Sequence, residues 1–450
     1  MTQYLDQVAA FAADTRFEDI PPAAVDAAKW ILLDTLGGML ASSTLPETRK
    51  FADMAARRGR DGVATLVGFA DKADPLFAAM LNATSACSFE TDEGNRLGGG
   101  HPAIHVLPPS LAEAEARGAT GRQLIETIVV SYEVMSRLAS GSPARWPIHS
   151  HGTHGSPGAA AAVAHLRGYD ATDMRRVLNL ATCMSPATTW QVCFEGGTVR
   201  NIFPAESCFL GMMAVDLDAC GYTSAADAPP NVFGEIMGDG TYDTERVVRD
   251  LGSQWRVTTN YFKLHASCAI THPPLDATYN ILDRRPVAPD EIASIEVIAS
   301  PVSGYLAYDD PENMLSAKFS IPYSIAAAVV LRRTDIDAFR GPSLDDPRIR
   351  DLARRVTVTP DPDVTWRDHK GRNTAVMMKL RSGETLSSET EFVRGDAMNP
   401  VDRSVLLEKF RYLAGQRLNE SAVQAVIDAV MAIEGAADLS RLRASVAPAG

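Results

Sequence analysis

The sequence predicts a mainly α protein with a large all-helical domain and a smaller α+β domain. Apolar residues recur at helical spacing through the first half of the chain, β-branched runs appear only after about Pro273, and helical spacing returns from Val401. A chain that begins and ends helical most simply packs its C-terminus back on its first domain. We therefore expect a helical domain of residues 1–266, completed by 402–450, and an α+β lid domain of residues 267–401.

The helical part is indicated by several apolar patterns. In segment 25–36 apolar residues recur every third or fourth position, as on one face of a helix. Segments 159–166 and 209–215 are apolar on nearly every side, which predicts helices buried inside a bundle. The pair Pro21-Pro22 favours a helix start. Glycines predict helix ends at Gly118, Gly168 and Gly221.

The lid domain is predicted to hold both strands and helices. The Ala-rich segment 320–331 has the pattern of a buried helix. The linker Arg381-Ser382-Gly383-Glu384 separates two strand-like runs and predicts a hairpin. Strands are predicted from β-branched or alternating residues at 292–298, 356–359, 374–380 and 386–392.

The composition argues against several classes of protein. The chain has 43 Lys+Arg against 56 Asp+Glu, and its net charge of -13 would repel a nucleic acid backbone. The longest uncharged runs contain too many polar residues for a membrane span. The first residues lack the pattern of a signal peptide, so we expect a cytoplasmic protein. The six cysteines form no C-x-x-C pair, which argues against a zinc ribbon or a cysteine-ligated iron–sulfur cluster.

Histidines mark the candidate site, because seven of the nine lie in three short stretches punctuated by Gly or Pro. The first stretch, 90–105, contains Asp92, His101 and His105 and predicts a loop that enters a helix. Such a loop brings a carboxylate near an imidazole, and the helix start can hold an anion. The three residues are also suitable metal donors, although nothing in their spacing determines a coordination number. A solvated loop is the remaining alternative.

The second stretch places His149, His151 and His154 before an Ala-rich helix. Three histidines so close together could ligate zinc. No carboxylate or cysteine lies nearby in the sequence, so we favour a polar pocket at the mouth of a buried helix. His151 is the candidate site residue here, and a structural histidine is the alternative.

The third stretch places Lys263 among aromatic and apolar residues. Burial there would lower the pKa of its ammonium or require an anionic partner. A side chain that reaches solvent along its apolar stem is the alternative. Two weaker candidates are Arg200, which follows a glycine pair and suits bidentate carboxylate binding, and Tyr323, whose hydroxyl at a helix start could donate to a ligand. An ordinary core or surface role is the alternative for both.

Together these stretches resemble the 2-methylcitrate dehydratase (MmgE/PrpD) family, which includes cis-aconitate decarboxylases and an iminodisuccinate epimerase. The resemblance begins at Ile31-Leu32-Leu33-Asp34-Thr35-Leu36-Gly37-Gly38 and extends to at least Ala328. It rests on motifs in the family's order: the acidic loop ending in His101-Pro102, His151-Gly152-Thr153-His154-Gly155, Lys263 ahead of Cys268 and Thr271-His272-Pro273, and Phe319-Ser320-Ile321-Pro322-Tyr323. It implies a helical domain and a smaller α+β domain, an active site in the cleft between them, and a homodimer.

The resemblance also implies roles for particular residues. It implies a site that needs no metal and no organic cofactor. The implied catalytic residues are Asp92, His101, His151, Lys263 and Tyr323. The implied substrate-binding residues are Arg96, Thr153, His154, Arg200, Cys268 and His272. Arg200 stands where many relatives have a lysine, and Cys268 where the animal decarboxylases have a histidine.

The implied reaction removes a proton from the carbon next to a carboxylate. Lys263 and Arg200 would bind substrate carboxylates, and one histidine would take the proton while another protonates a leaving hydroxyl. We therefore expect a hydro-lyase acting on a small polycarboxylate such as 2-methylcitrate, with a steep loss of rate below about pH 6. Within the same pocket the alternatives are an epimerase or isomerase of an acidic substrate, and then a decarboxylase. From other classes, a non-catalytic carboxylate-binding protein and a metallohydrolase remain open.

Overall fold

Helices form most of the protein in the computed structural model, which describes residues 3–59, 62–364 and 374–447. Their starts and ends agree with the signals in the sequence, since the second helix begins at Pro22 and Gly118 caps the end of the fifth. The helices are α1 Gln3–Asp14, α2 Pro22–Ser42, α3 Pro46–Arg58, α4 Pro75–Cys87, α5 Ala103–Arg117, α6 Gly121–Ser140, α7 Ser150–Thr153, α8 Gly155–Leu166, α9 Ala171–Cys183, α10 Gln191–Phe194, α11 Phe203–Ala219, α12 Thr244–Val248, α13 His272–Arg284, α14 Met314–Lys318, α15 Ile321–Leu331, α16 Pro347–Ala353, α17 Arg403–Ala414, α18 Glu420–Met431 and α19 Ser440–Val446.

The strands are short in the first half of the chain and longer in the second. They are β1 Ala64–Thr65, β2 Lys72–Ala73, β3 Gly94–Asn95, β4 Asn260–Tyr261, β5 Ile292–Ala299, β6 Val356–Pro360, β7 Thr374–Leu380 and β8 Thr385–Thr390. The last four form one sheet in the order β6-β5-β7-β8, in which only the β5–β6 pair is parallel. All four strands and the hairpin between β7 and β8 were predicted from the sequence. The mainly α fold with a smaller α+β region is thereby confirmed.

The C-terminal helices pack on the first helices, as the pattern of the chain predicted. Phe410 of α17 lies against α2, where a Cβ on Gly37 would come within 3.0 Å of the Phe410 ring. Lys409 of the same helix pairs with Asp34 at 2.6 Å and donates to the carbonyl of Thr91 at 2.8 Å. The last part of the chain therefore holds both α2 and the acidic loop that follows α4.

Three apolar cores organise the described residues. One joins α2, α5 and α6 to the C-terminal helices, and another lies among α1, α4, α8, α9 and α11. The third lies between the four-stranded sheet and helices α13 and α15. Most residues of this third core belong to the sheet and its helices. We therefore propose two domains, one of residues 1–266 with 402–450 and the other of residues 267–401. Within the described ranges no helix has the length and apolarity that a membrane span requires.

Candidate active site

A two-residue ladder brings the acidic loop to the lysine stretch. Gly94 in β3 pairs with Tyr261 in β4, in antiparallel register. A Cβ on Gly94 would lie 2.4 Å from the Tyr261 ring, so only glycine allows this approach. In an antiparallel pair, the residue two positions before Gly94 faces the residue two positions after Tyr261. Asp92 and Lys263, which are 171 residues apart in the sequence, therefore meet.

Lys263 lies buried between two carboxylates. Its Nζ is 3.2 Å from Oε2 of Glu90 and 3.2 Å from Oδ1 of Asp92, and Glu90 also pairs with the buried guanidinium of Arg200. Burial would raise the pKa of Asp92, but Lys263 and His101 lower it well below its usual range. Burial would lower the pKa of Lys263, but Asp92 and Glu90 raise it. Two formal negative charges and two formal positive charges therefore balance here.

His101 is oriented by the acidic loop. Its Nδ1 lies 2.8 Å from Oδ2 of Asp92 and 2.7 Å from the carbonyl oxygen of Glu93. Both neighbours are acceptors, so Nδ1 carries the proton and the lone pair of the neutral ring is on Nε2. The His101 ring lines the cavity described below. Burial raises the pKa of the Glu93 side chain to about 8.

His151 is buried next to His101 and has no hydrogen-bond partner for either ring nitrogen among the described residues. Its ring meets His101 edge-on at 4.6 Å between centroids, and its Nε2 is 3.8 Å from Oδ2 of Asp92. Burial, followed by the charges of Arg200 and His101, lowers the pKa of His151 well below its usual value. The His151 imidazole is therefore neutral at neutral pH and available to accept a proton.

The backbone at His151 is held by two other groups. Gly152 has a φ of +86°, and a Cβ there would lie 2.8 Å from the carbonyl oxygen of Phe203. The Gly152 N–H donates to Nε2 of His105 at 2.9 Å, and Nδ1 of His105 donates to the carbonyl of His101 at 3.1 Å. Burial lowers the pKa of His105 to about 3. His105, a candidate metal donor in the sequence, thus supports the backbone instead.

His149 was not singled out from the sequence, although it belongs to the same stretch. Its Nδ1 accepts a hydrogen bond from the backbone N–H of His151 at 2.9 Å. The proton of the neutral ring is therefore on Nε2. This nitrogen is buried and has no hydrogen-bond partner in the described ranges. The His149 ring lines the cavity described below. Burial, followed by Arg200, lowers its pKa well below the usual value. Its spacing of two from His151, before a glycine turn, was the available signal.

These side chains lie around a cavity of about 730 Å³. The charged and imidazole groups form its inner end, and aromatic and aliphatic residues line its outer half. Asp92 and Lys263 lie behind the inner wall. The inner residues are Glu90, His101, His149, His151, Arg200 and Cys268, and the outer residues include Trp146, Ile148, Trp190, Val302 and Tyr305.

Two predicted binding residues reach this cavity besides Arg200. Arg96 lines it while pairing with Asp396 at 2.9 Å. Cys268 lines it as a thiol, because burial raises its pKa to about 12.

Besides Asp92 and Lys263, four predicted site residues do not line the cavity. Tyr323, implied to be catalytic, has its hydroxyl within hydrogen-bond distance of the carbonyls of Ala338 and Ser343, at 3.0 and 2.9 Å. Ser320 caps α15 so that this side chain enters the core beside the sheet, which the helix-start signal did not reveal. The three implied binding residues are also held elsewhere: the Thr153 hydroxyl donates to the carbonyl of His149, the His154 ring packs on Phe233, and Nε2 of His272 donates to the carbonyl of Ser267.

Besides His149, two functional candidates were missed by the sequence reasoning. Glu90 adopts a left-handed φ of 56°, an unfavourable conformation for a non-glycine residue that is frequent at functional sites. Buried Lys318 donates to the carbonyl of Ser88 at 3.2 Å and lies 4.7 Å above the Phe89 ring. Burial lowers the pKa of Lys318 to about 7. Like Lys263, Lys318 is a lysine in an apolar segment, and this was the available signal.

Asp92, His101 and His151 also form a possible metal-binding group, since their donor atoms lie within 4.8 Å of one another. The donor types suit a divalent ion. However, Asp92 already pairs with Lys263, and Arg200 lies at the same end of the cavity. These two cations offset the carboxylates at this end of the cavity, so a dication would meet no net negative charge there, and we favour direct use of the imidazoles over metal binding.

Comparison with known proteins gives matches over most of the chain. The MmgE/PrpD N-terminal domain matches residues 6–238, and the MmgE/PrpD C-terminal domain matches residues 265–434. Cis-aconitate decarboxylase from Aspergillus terreus is 24% identical over 466 residues, covering 97% of this chain and 94% of the relative. Cis-aconitate decarboxylase-like protein oryM from Aspergillus oryzae is 24% identical over 458 residues, covering 95% of this chain and 94% of the relative.

Proposed function

The chain belongs to the MmgE/PrpD family, and from this premise we propose that it is a cofactor-independent lyase acting next to a substrate carboxylate. The family and the two relatives support a carboxylate-lyase type of function. The first candidate reaction is dehydration of a small polycarboxylate such as 2-methylcitrate. The second is decarboxylation, which the names of the relatives favour. A homodimer and a cytoplasmic location belong to the same proposal.

The observation that carries the proposal is a neutral imidazole beside a guanidinium at the inner end of one cavity. A C–H bond next to a carboxylate is weakly acidic, so its cleavage needs a nearby base and a group that stabilises the negative charge that develops. His151 is the base, because its ring nitrogens have no partner in the described part of the chain. Arg200 and the Nε2–H of His149 bind the carboxylate on which charge accumulates.

His101 is the acid in the dehydration. It acts as an imidazolium: Asp92 and the Glu93 carbonyl hold its Nδ1–H, the Asp92 carboxylate stabilises the positive charge, and the proton on its Nε2 is the one that is transferred. His151 takes the α-proton, the C–O bond breaks with its electrons on oxygen, and His101 protonates the leaving hydroxyl to give water. In a decarboxylation the carboxylate would leave as carbon dioxide, and an imidazolium would return a proton to the carbon.

Lys263 is proposed as a positioning residue. It lies behind the cavity wall between Glu90 and Asp92, where it holds the carboxylate that orients His101. This differs from the direct substrate contact implied by the resemblance. Replacing Lys263 with Met should lower both turnover and stability, because it leaves two carboxylates buried without their common cation.

The proposal is tested with a panel of di- and tricarboxylates and the purified protein. Dehydration is detected as ultraviolet absorbance of a C=C product, decarboxylation as carbon dioxide release, and epimerisation as deuterium washed into unreacted substrate. We expect one of the first two signals, and its loss in a His101→Gln variant. Stabilisation of the protein by these acids without any turnover would instead favour a carboxylate-binding protein.

A further inference from the structure

We infer that the substrate carries an apolar or aromatic arm in addition to its carboxylate head, and that the arm occupies the outer half of the cavity. The inference rests on the proposed function for the position of the head, and it replaces the small polycarboxylate named there with a larger acid that carries the same carboxylate head. It is argued from the outer wall, from the balance of charge at the inner end, and from the size of the cavity.

The outer wall contains three aromatic side chains, which we call the aromatic rim: Trp146, Trp190 and Tyr305. The Trp146 and Tyr305 rings stack at 3.9 Å with 19° between their planes, and the Trp190 ring lies 6.1 Å from the Trp146 ring. Trp146 remains 41% exposed and Tyr305 50% exposed. Large aromatic side chains that stay open to solvent at the mouth of a cavity are typical of a binding surface.

At the inner end of the cavity, the positive charges that could bind a highly charged substrate are already paired with carboxylates of the protein. Lys263 is matched by Glu90 and Asp92, and the Arg200 guanidinium also pairs with Glu90. Arg96 pairs with Asp396. These protein carboxylates therefore weaken the electrostatic attraction between the buried cations and the carboxylate head of the substrate. Much of the binding must come from another part of the molecule, and the aromatic rim is continuous with the inner end.

The volume of the cavity supports the same conclusion. At about 730 Å³ it lies within the range of roughly 300–1,000 Å³ of pockets that enclose drug-sized ligands. A small polycarboxylate is much smaller than such a ligand and would leave the aromatic rim in water. An acid with a phenyl or alkyl arm would place its head near Arg200 and His149 and its arm against Trp146 and Tyr305.

The experiment compares the binding of succinate and 2-benzylsuccinate by isothermal titration calorimetry. The two acids share a dicarboxylate head and differ by the aromatic arm. We expect 2-benzylsuccinate to bind at least tenfold more tightly. This advantage should fall to less than threefold in Trp146→Ala and in Tyr305→Ala. It should persist in Tyr222→Ala, a matched control at a tyrosine that is 63% exposed and does not line the cavity.

Equal binding of the two acids, no measurable binding of either, or an advantage that survives in both rim variants would overturn the inference. A rim variant that changes the oligomeric state but not the relative affinity would show instead that the rim contacts a second copy of the chain. The proposed function is judged separately by turnover. If the protein dehydrates or decarboxylates small acids but does not bind 2-benzylsuccinate preferentially, the proposed function stands and the inference about the apolar arm is wrong.

Discussion

The protein contains two buried charge clusters that differ in how completely their polar atoms are paired. The structural cluster consists of Arg137, Glu133 and the backbone groups around them. The site cluster consists of Glu90, Asp92, Lys263 and Arg200, with His149 and His151 beside it. Both clusters are almost inaccessible to solvent, so burial alone does not separate a structural ion pair from an active site.

In the structural cluster every guanidinium nitrogen of Arg137 has an acceptor. Its Nε donates to Glu133 at 2.9 Å, and its two terminal nitrogens donate to the carbonyls of Val247, Arg249, Asp250 and Gln254. The site cluster instead adjoins a cavity and contains buried ring nitrogens without partners among the residues described. Incomplete pairing of buried polar atoms beside a cavity is therefore the better indicator of function.

The largest expected effect concerns the structural cluster. Arg137→Met removes the guanidinium that donates to four backbone carbonyls and pairs with Glu133, so the buried carboxylate loses its cation and keeps only the backbone N–H groups of Arg256 and Val257. We expect the free energy of unfolding in urea to fall by about 3–5 kcal/mol, with turnover per folded molecule unchanged. Arg122→Met removes an exposed pair with Glu18 and should cost about 0–1 kcal/mol. Similar losses of stability in the two variants would contradict the expectation that the buried pair contributes more to stability than the surface pair.

The reverse pattern is expected for His151→Gln. The substitution removes the proposed base but no hydrogen bond of the side chain, so kcat should fall at least about a hundredfold while the melting temperature changes little. His165→Gln is the matched control, since His165 pairs with Glu126 and does not line the cavity. Retained turnover in His151→Gln would exclude the imidazole as the base.

The dependence of kcat/KM on pH tests whether the unpaired His151 imidazole is the base. The His151 imidazole accepts a proton only when neutral, and its pKa is lowered by burial, so kcat/KM should rise with pH through that lowered value. The acid limb therefore lies below the value of about pH 6 expected from an ordinary histidine. A profile measured between about pH 4.5 and pH 8 checks this, and a limb centred near about 6.5 would contradict the neutral, buried base.

The lowered pKa of His151 also determines the direction in which the stability of the fold changes with pH. Between the lowered pKa of folded His151 and about 6.5, the unfolded chain binds a proton that the folded protein does not. The contribution of His151 to stability is present above about pH 6.5 and is lost as the pH falls toward the lowered pKa. His151→Gln should therefore lose less stability than the original protein between about pH 7 and pH 5.

The smallest expected effect is that of metal removal. Dialysis against a chelator should leave turnover and melting temperature unchanged, because Lys263 and Arg200 already neutralise the carboxylates that a dication would need. Loss of activity that zinc restores, with one equivalent of zinc in the purified protein, would instead assign Asp92, His101 and His151 to a metal centre.

Much of the fold could be predicted because local patterns determine it. The four sheet strands, the hairpin and the buried α15 all followed from alternation, β-branching and turn residues. The three histidine and lysine stretches were found because rare residue types stand out from their surroundings. The resemblance then joined stretches that lie far apart in the sequence.

The remainder could not be predicted because it depends on contacts between distant segments. The meeting of Asp92 and Lys263 requires the β3–β4 register, which two-residue strands do not reveal in a sequence. Tyr323 was correctly expected at a helix start, but the side of the helix that it occupies depends on packing against the sheet. The left-handed conformation of Glu90 has no signal in its residue type.

The contact of Lys409 with the acidic loop has a consequence for biosynthesis. Lys409 is translated 318 residues after Thr91, yet its ammonium donates to the carbonyl of Thr91, next to Asp92. A nascent chain still attached to the ribosome therefore lacks one of the supports of this loop. We expect catalytic competence to arise only after α17 has emerged from the exit tunnel, so that shorter translation products would be inactive.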